Sequence, residues 1–113
     1  MWSGLPVVIF GSGGISKEVF KVIQEINHSN KFSVYDCLGF VEDDCSKLGN
    51  EVLPGVQVVT CDEEFARYVA NKGTTLGVVI PFGNPKIKSK VYDRIKDIDN
   101  IVFPNIIHPN AQF

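Results

Sequence analysis

"VVIFGSGGISKEVF", residues 7–20, decides how the rest of the chain is read. Its first four residues are apolar and largely β-branched, the pattern of a strand buried on both faces. Three glycines follow, and from Gly14 apolar residues recur at helical spacing: Ile15, Val19, Val22, Ile23 and Ile26. A strand, a glycine turn and a helix start form a ready-made phosphate cradle, because the first turn of a helix leaves backbone N–H groups unpaired. A dinucleotide, a nucleotide-sugar and no ligand at all are each compatible with such a turn.

Outward from this stretch, strands and helices alternate. The apolar run LPVVIF (5–10) predicts the first strand, and the helix after it runs to about Asn27. YDCLGFVE (35–42) predicts a second strand, with DDCSKLGN (43–50) a loop. VQVVT (56–60), entered through Pro54 and Gly55, predicts a third. Thr60 and Glu63 have capping-box spacing for a helix that carries Phe65, Ala66 and Val69 inward and stops at Gly73. TLGVVIP (75–81) predicts a fourth strand. Asn84 then suits a helix N-cap and Pro85 its first turn, with Ile87, Val91, Ile95 and Ile98 as the apolar stripe. IVFP (101–104) predicts a fifth strand. The expected fold is α/β, a Rossmann-like half with a five-stranded, mostly parallel sheet in the order 3-2-1-4-5 and helices on both faces. Ligands of such sheets bind at the carboxyl ends of the strands, where Gly11–Gly14, Glu42–Asp44 and Pro81–Asn84 converge.

Composition narrows the function classes. A chain of 113 residues fits one domain with one core. A net charge of −2 without a basic stripe argues against a nucleic-acid surface. No apolar run approaches membrane-spanning length, and no secretory signal precedes Val7. Cys37, Cys45 and Cys61 form no CxxC pair and read as reduced, mostly buried thiols of a cytoplasmic protein. His28 and His108 lie far from them, so no metal site is expected.

The glycine turn departs from the dinucleotide fingerprint G-x-G-x-x-G, since Ser16 takes the third glycine's place and crowds the helix–strand contact mildly. The acidic residues Glu42 and Asp43 lie farther along the chain than that fingerprint expects. Beside a pyrophosphate they are favourable only as acceptors from ribose hydroxyls or base N–H groups, which disfavours ligands with a 2′-phosphate.

Three segments together, "VVIFGSGGISKEVF", "GFVEDD" with "PGVQVV", and "VVIPFGNPKIKSKV" leading to "NIIHPNAQF", resemble the N-terminal domain of bacterial sugar acyltransferases. That group includes sialic acid O-acetyltransferases and N-acetyltransferases of nucleotide-linked amino sugars of surface glycan biosynthesis. The resemblance implies a domain holding the nucleotide part of a nucleotide-sugar, a UDP-linked amino sugar foremost. It also implies a following left-handed β-helix that trimerises, binds acetyl-CoA and carries the catalytic histidine. The chain is thus expected to be the isolated N-terminal domain, without a catalytic residue, cofactor or metal of its own, and monomeric or weakly dimeric. Carried over by position, Gly11, Ser12, Gly13 and Gly14 surround the pyrophosphate and Glu42 and Asp43 contact the nucleoside. Pro81, Gly83 and Asn84 close the other side, with Lys88 in the place of a common Arg. Ile15-Ser16 replaces a frequent His-Gly, and Glu42 a usual Asp. His108, in the closing motif, is expected to have a structural or linker role. The alternatives are an NAD-binding module and a ligand-free scaffolding domain.

Overall fold

The computed structural model describes residues 4–82 and 84–104. The predicted closing motif with His108, and Gly83, lie outside the described residues. The elements run β1 (Leu5–Phe10), α1 (Gly14–Ser29), β2 (Tyr35–Glu42), β3 (Glu51–Leu53), β4 (Val56–Cys61), α2 (Phe65–Lys72), β5 (Leu76–Val79), α3 (Pro85–Ile95) and β6 (Ile101–Val102). They form a six-stranded sheet in the order β3-β4-β2-β1-β5-β6. The five strands read from the sequence are parallel and stand in the expected order. The sixth, β3, is an antiparallel addition paired to β4. Three residues are too few to show a period, so the sequence does not mark EVL as a strand. Its hairpin closes through Pro54 and Gly55, the latter at φ 77°, the pairing a type II turn favours.

Alternation along β1 explains the two-sided core. Val7 and Ile9 join Ile23, Phe40 and Val58 on the face covered by α1. Val8 and Phe10 join Phe65, Val69, Val91 and Ile95 on the face covered by α2 and α3. Both faces are therefore dry, as a parallel sheet requires. Phe10 and Phe65 meet edge to face with ring centroids 5.1 Å apart.

The helices follow their caps unevenly. Asn84 caps α3 as expected, its Oδ1 accepting from the Lys86 N–H at 2.9 Å, and Gly73 ends α2 at φ 66°. The Thr60–Glu63 capping box does not form. Thr60 is buried inside β4, a 3₁₀ turn spans Asp62–Glu64, and α2 begins at Phe65 without a side-chain cap. Burial beside the core wins over the local cap. Ala66 consequently faces solvent, and Tyr68 packs against the core instead. Helix α1 runs two residues past Asn27, whose side chain holds the return into β2: Oδ1 accepts from the Val34 and Tyr35 N–H groups, and Nδ2 donates to the Tyr35 carbonyl. Ile15 stands half exposed, outside the stripe.

The cysteines correct a second expectation. Cys45 and Cys61 are joined in a disulfide, and Cys37 alone is free. Strands β2 and β4 are parallel neighbours, so the turn just after β2 comes to lie against the last residue of β4. The argument from thiols to a reducing compartment therefore falls away. Burial pushes the Cys37 thiol up to about 11, against the lowering effect of a hydrogen bond from the Gly39 backbone, which makes it a poor nucleophile. Among the described residues no helix is long and apolar enough to cross a membrane.

Candidate functional site

Strand order reverses between β1 and β5, and a cleft of about 460 Å³ opens there at the strands' carboxyl ends. That volume suits a small organic ligand. Phe10, Val41 and Val91 form its apolar floor, and Phe82 and Ile87 a wall. Gly11, Glu42, Asp43, Lys47, Asp62, Lys90 and Arg94 complete the lining.

The glycine turn divides by role. Gly11 sits at φ 84°, and a Cβ there would come within 2.8 Å of the Phe82 ring and 3.0 Å of Ser16 Oγ, so only glycine fits. Gly13 and Gly14 are exposed, and a Cβ on either would meet nothing within 4 Å. Their backbone is open to an approaching group. Ser16 turns out to be useful where crowding was expected. It is fully buried, and its hydroxyl donates to the Phe10 carbonyl at 2.9 Å, stitching α1 to the end of β1.

Ser12 and Glu42 meet directly, as the Ser12 hydroxyl donates a hydrogen bond to Glu42 Oε1. The other oxygen, Oε2, faces Lys47 Nζ at 3.4 Å. Glu42 is only 7% exposed, so both carboxylate oxygens are held by the protein. Asp43, the next residue, is exposed on the cleft. Across from it, Arg94 pairs with Asp62 at 3.0 Å. Burial lifts the Asp62 carboxyl above its ordinary value. Arg94 draws it back down, while Asp43 and Glu42 push it further up.

The residues singled out by the sequence do not all share this cleft. Gly11, Glu42 and Asp43 line it, and Ser12 reaches it through Glu42. Asn84 is occupied in capping α3. Pro81 and Lys88 line a neighbouring groove with Val19, Val79, Tyr92 and Phe103. Lys47, Asp62, Lys90 and Arg94 were not expected as site residues. Asp62 had a signal, since it directly follows a parallel strand, where ligands of these sheets gather. Lys90 and Arg94, four apart, share one face of α3, a face the stripe alone reads as wet. Among the described residues no group of His, Cys, Asp and Glu side chains has the arrangement to hold a metal ion.

Solved structures with this fold include the UDP-D-quinovosamine 4-dehydrogenase from Vibrio fischeri, at 16% identity and a TM-score of 0.59, over 91% of this chain and 80% of that one. Another is RSP, a Rex-family repressor, at 15% identity and a TM-score of 0.57, over 96% of this chain and 50% of that one. No curated protein sequence matches the chain. Residues 6–95, from the second residue of β1 to the last of α3, carry every side chain of the cleft and match the family model of the PglD N-terminal domain, and the chain belongs to that family.

Proposed function

We propose that this domain binds the nucleotide part of a nucleotide-sugar, a UDP-linked amino sugar foremost, for an acetyl-CoA-dependent sugar acetyltransferase. The observation that carries the reading is the open backbone at Gly13 and Gly14, in the same turn as Gly11, which lines a charged cleft at the topological switch point. Family membership supports the acetyltransferase setting. The N–H groups of residues 12–15 at the start of α1 donate to the diphosphate, aided by the positive end of a sixteen-residue helix. Asp43 accepts from ribose hydroxyls or a base N–H. Glu42 supports this wall indirectly, by fixing Ser12 and with it the path of the glycine turn. Recognition is this domain's share of the reaction. In this reading the transfer itself, attack of a sugar amino group or hydroxyl on the thioester, uses a separate trimeric β-helix and its histidine.

Thermal denaturation with UDP-, GDP-, CMP- and dTDP-sugars and with NAD tests the reading, because a ligand specific to the folded state raises the midpoint. A shift with a nucleoside-diphosphate sugar and none with NAD is expected. A shift with NAD alone would make the domain a dinucleotide module.

A further inference from the structure

The charges of the cleft do not contribute equally. Three cations, Lys47, Lys90 and Arg94, face three carboxylates, Glu42, Asp43 and Asp62. Lys47 is matched to Glu42 and Arg94 to Asp62. Among the described residues, the side chains of Lys90 and Asp43 have neither an ion-pair nor a hydrogen-bonding partner.

From this pairing we infer that Lys90 is the side chain that reads the anionic diphosphate of the ligand, and that Lys90 and Asp43 together set the direction in which the ligand lies. The inference rests on the nucleotide-sugar reading and deepens it by assigning a contact that neither the glycine turn nor Lys88 supplies. A cation already matched to a carboxylate gains little from a phosphate, because its neighbour repels the newcomer. Lys90 carries no such cost, and its ammonium offers three donors on a flexible stem. Asp43, unmatched on the β2 side, repels phosphate and accepts from hydroxyl or N–H groups. A ligand with one anionic and one hydrogen-donating end therefore settles with its phosphates toward α3 and its nucleoside toward Asp43. Lys88 is excluded from this task by position, since it lines the neighbouring groove with Pro81 and Tyr92 and not the cleft.

Calorimetry at low salt with UDP, GDP and dTDP, and with their parent nucleosides, tests the assignment on the wild-type chain and on K90Q, K90R, K88Q and D43N. All three positions are exposed, and thermal denaturation checks that each variant folds. K90Q should weaken the diphosphate about tenfold, the scale of a lost hydrogen-bonded charge contact, and leave nucleoside affinity unchanged. K90R should retain the wild-type affinity, K88Q should stay within twofold of it, and D43N should weaken the nucleoside, and the diphosphate by less because its repulsion is relieved. Wild-type affinity in K90Q, or the tenfold loss appearing in K88Q instead, overturns the assignment while leaving nucleotide binding intact. If no nucleoside diphosphate binds the wild-type chain, the nucleotide-sugar reading itself fails and this inference falls with it.

Discussion

Gly13→Asp should strengthen the fold and destroy the site. Gly13 occupies the N-cap of α1 in ordinary extended backbone, φ −81° and ψ −170°, with no side-chain cap and no acidic residue in the first turn. Aspartate adopts that backbone without strain, and its Cβ enters open space. Its carboxylate gains an N–H partner in the first turn and a favourable interaction with the helix dipole, together about 0.5–1 kcal/mol. For a domain of this size that raises the melting midpoint by roughly 2–6 °C. The same carboxylate stands where the proposed diphosphate docks. Two unit charges about 5 Å apart at an effective dielectric of about 20 repel by about 3 kcal/mol, and half of that is already tenfold in affinity. Thermal denaturation and calorimetry with UDP-sugar read both effects on one sample. Gly11→Ala provides the contrast: φ 84° and the Phe82 ring at 2.8 Å from the new Cβ should cost about 1–3 kcal/mol of stability. A Gly13→Asp domain that is more stable and still binds nucleotide-sugar at wild-type affinity would refute the role given to the glycine turn.

Other perturbations probe the frame around that turn. Phe65→Ala removes a ring that is 1% exposed and packed edge to face on Phe10, and should cost about 3–5 kcal/mol in urea denaturation. Replacing both Cys45 and Cys61 by serine frees a loop closed over 16 residues and should cost about 3 kcal/mol, and a reductant should lower the wild-type midpoint but not that of the double variant. Asp62 is a raised carboxyl, so its contribution to stability is present below its ordinary value of 3.8 and is lost as pH rises through its higher folded value. An NMR titration should therefore find its midpoint above 3.8, and Asp62→Asn should flatten that part of the stability profile; a midpoint at or below 3.8 contradicts the burial argument.

What could be read from the sequence tracks how local each cause is. Alternation in β1 is visible because residues 7–10 are apolar on both faces, and this alone implies a covered parallel sheet. Asn84 followed by Pro85, and Gly73 after a helical stripe, are caps set by immediate neighbours, and both form. Thr60 and Glu63 have equally good local spacing, yet Thr60 is drawn into the buried end of β4, and a distant contact decides its fate. Gly39 shows the same limit. It sits where β2 slips register against β1, and a Cβ there would lie 2.5 Å from the Gln57 carbonyl on the neighbouring strand, a fact invisible until the two strands are side by side.

The disulfide and the cleft belong to an intermediate class, legible once topology is known. An order of 3-2-1-4-5 already sets the second and third parallel strands next to each other, so residues at or just past their ends must be neighbours. Cys45 and Cys61 hold those two positions, as do Asp43 and Asp62 on the cleft side. The bond thus ties the loop that carries Asp43 and Lys47 to the strand end that carries Asp62, whose carboxylate holds Arg94. Both charged pairs of the cleft are anchored through this one crosslink, and the positions of the two unmatched groups, Asp43 and Lys90, are set against that frame. Read along the chain, Lys86, Lys88 and Lys90 all lie off the apolar stripe, and the resemblance points to Lys88. Only the pairing across strands separates them, because it consumes Arg94 and Lys47 and leaves Lys90 available on the cleft side of α3.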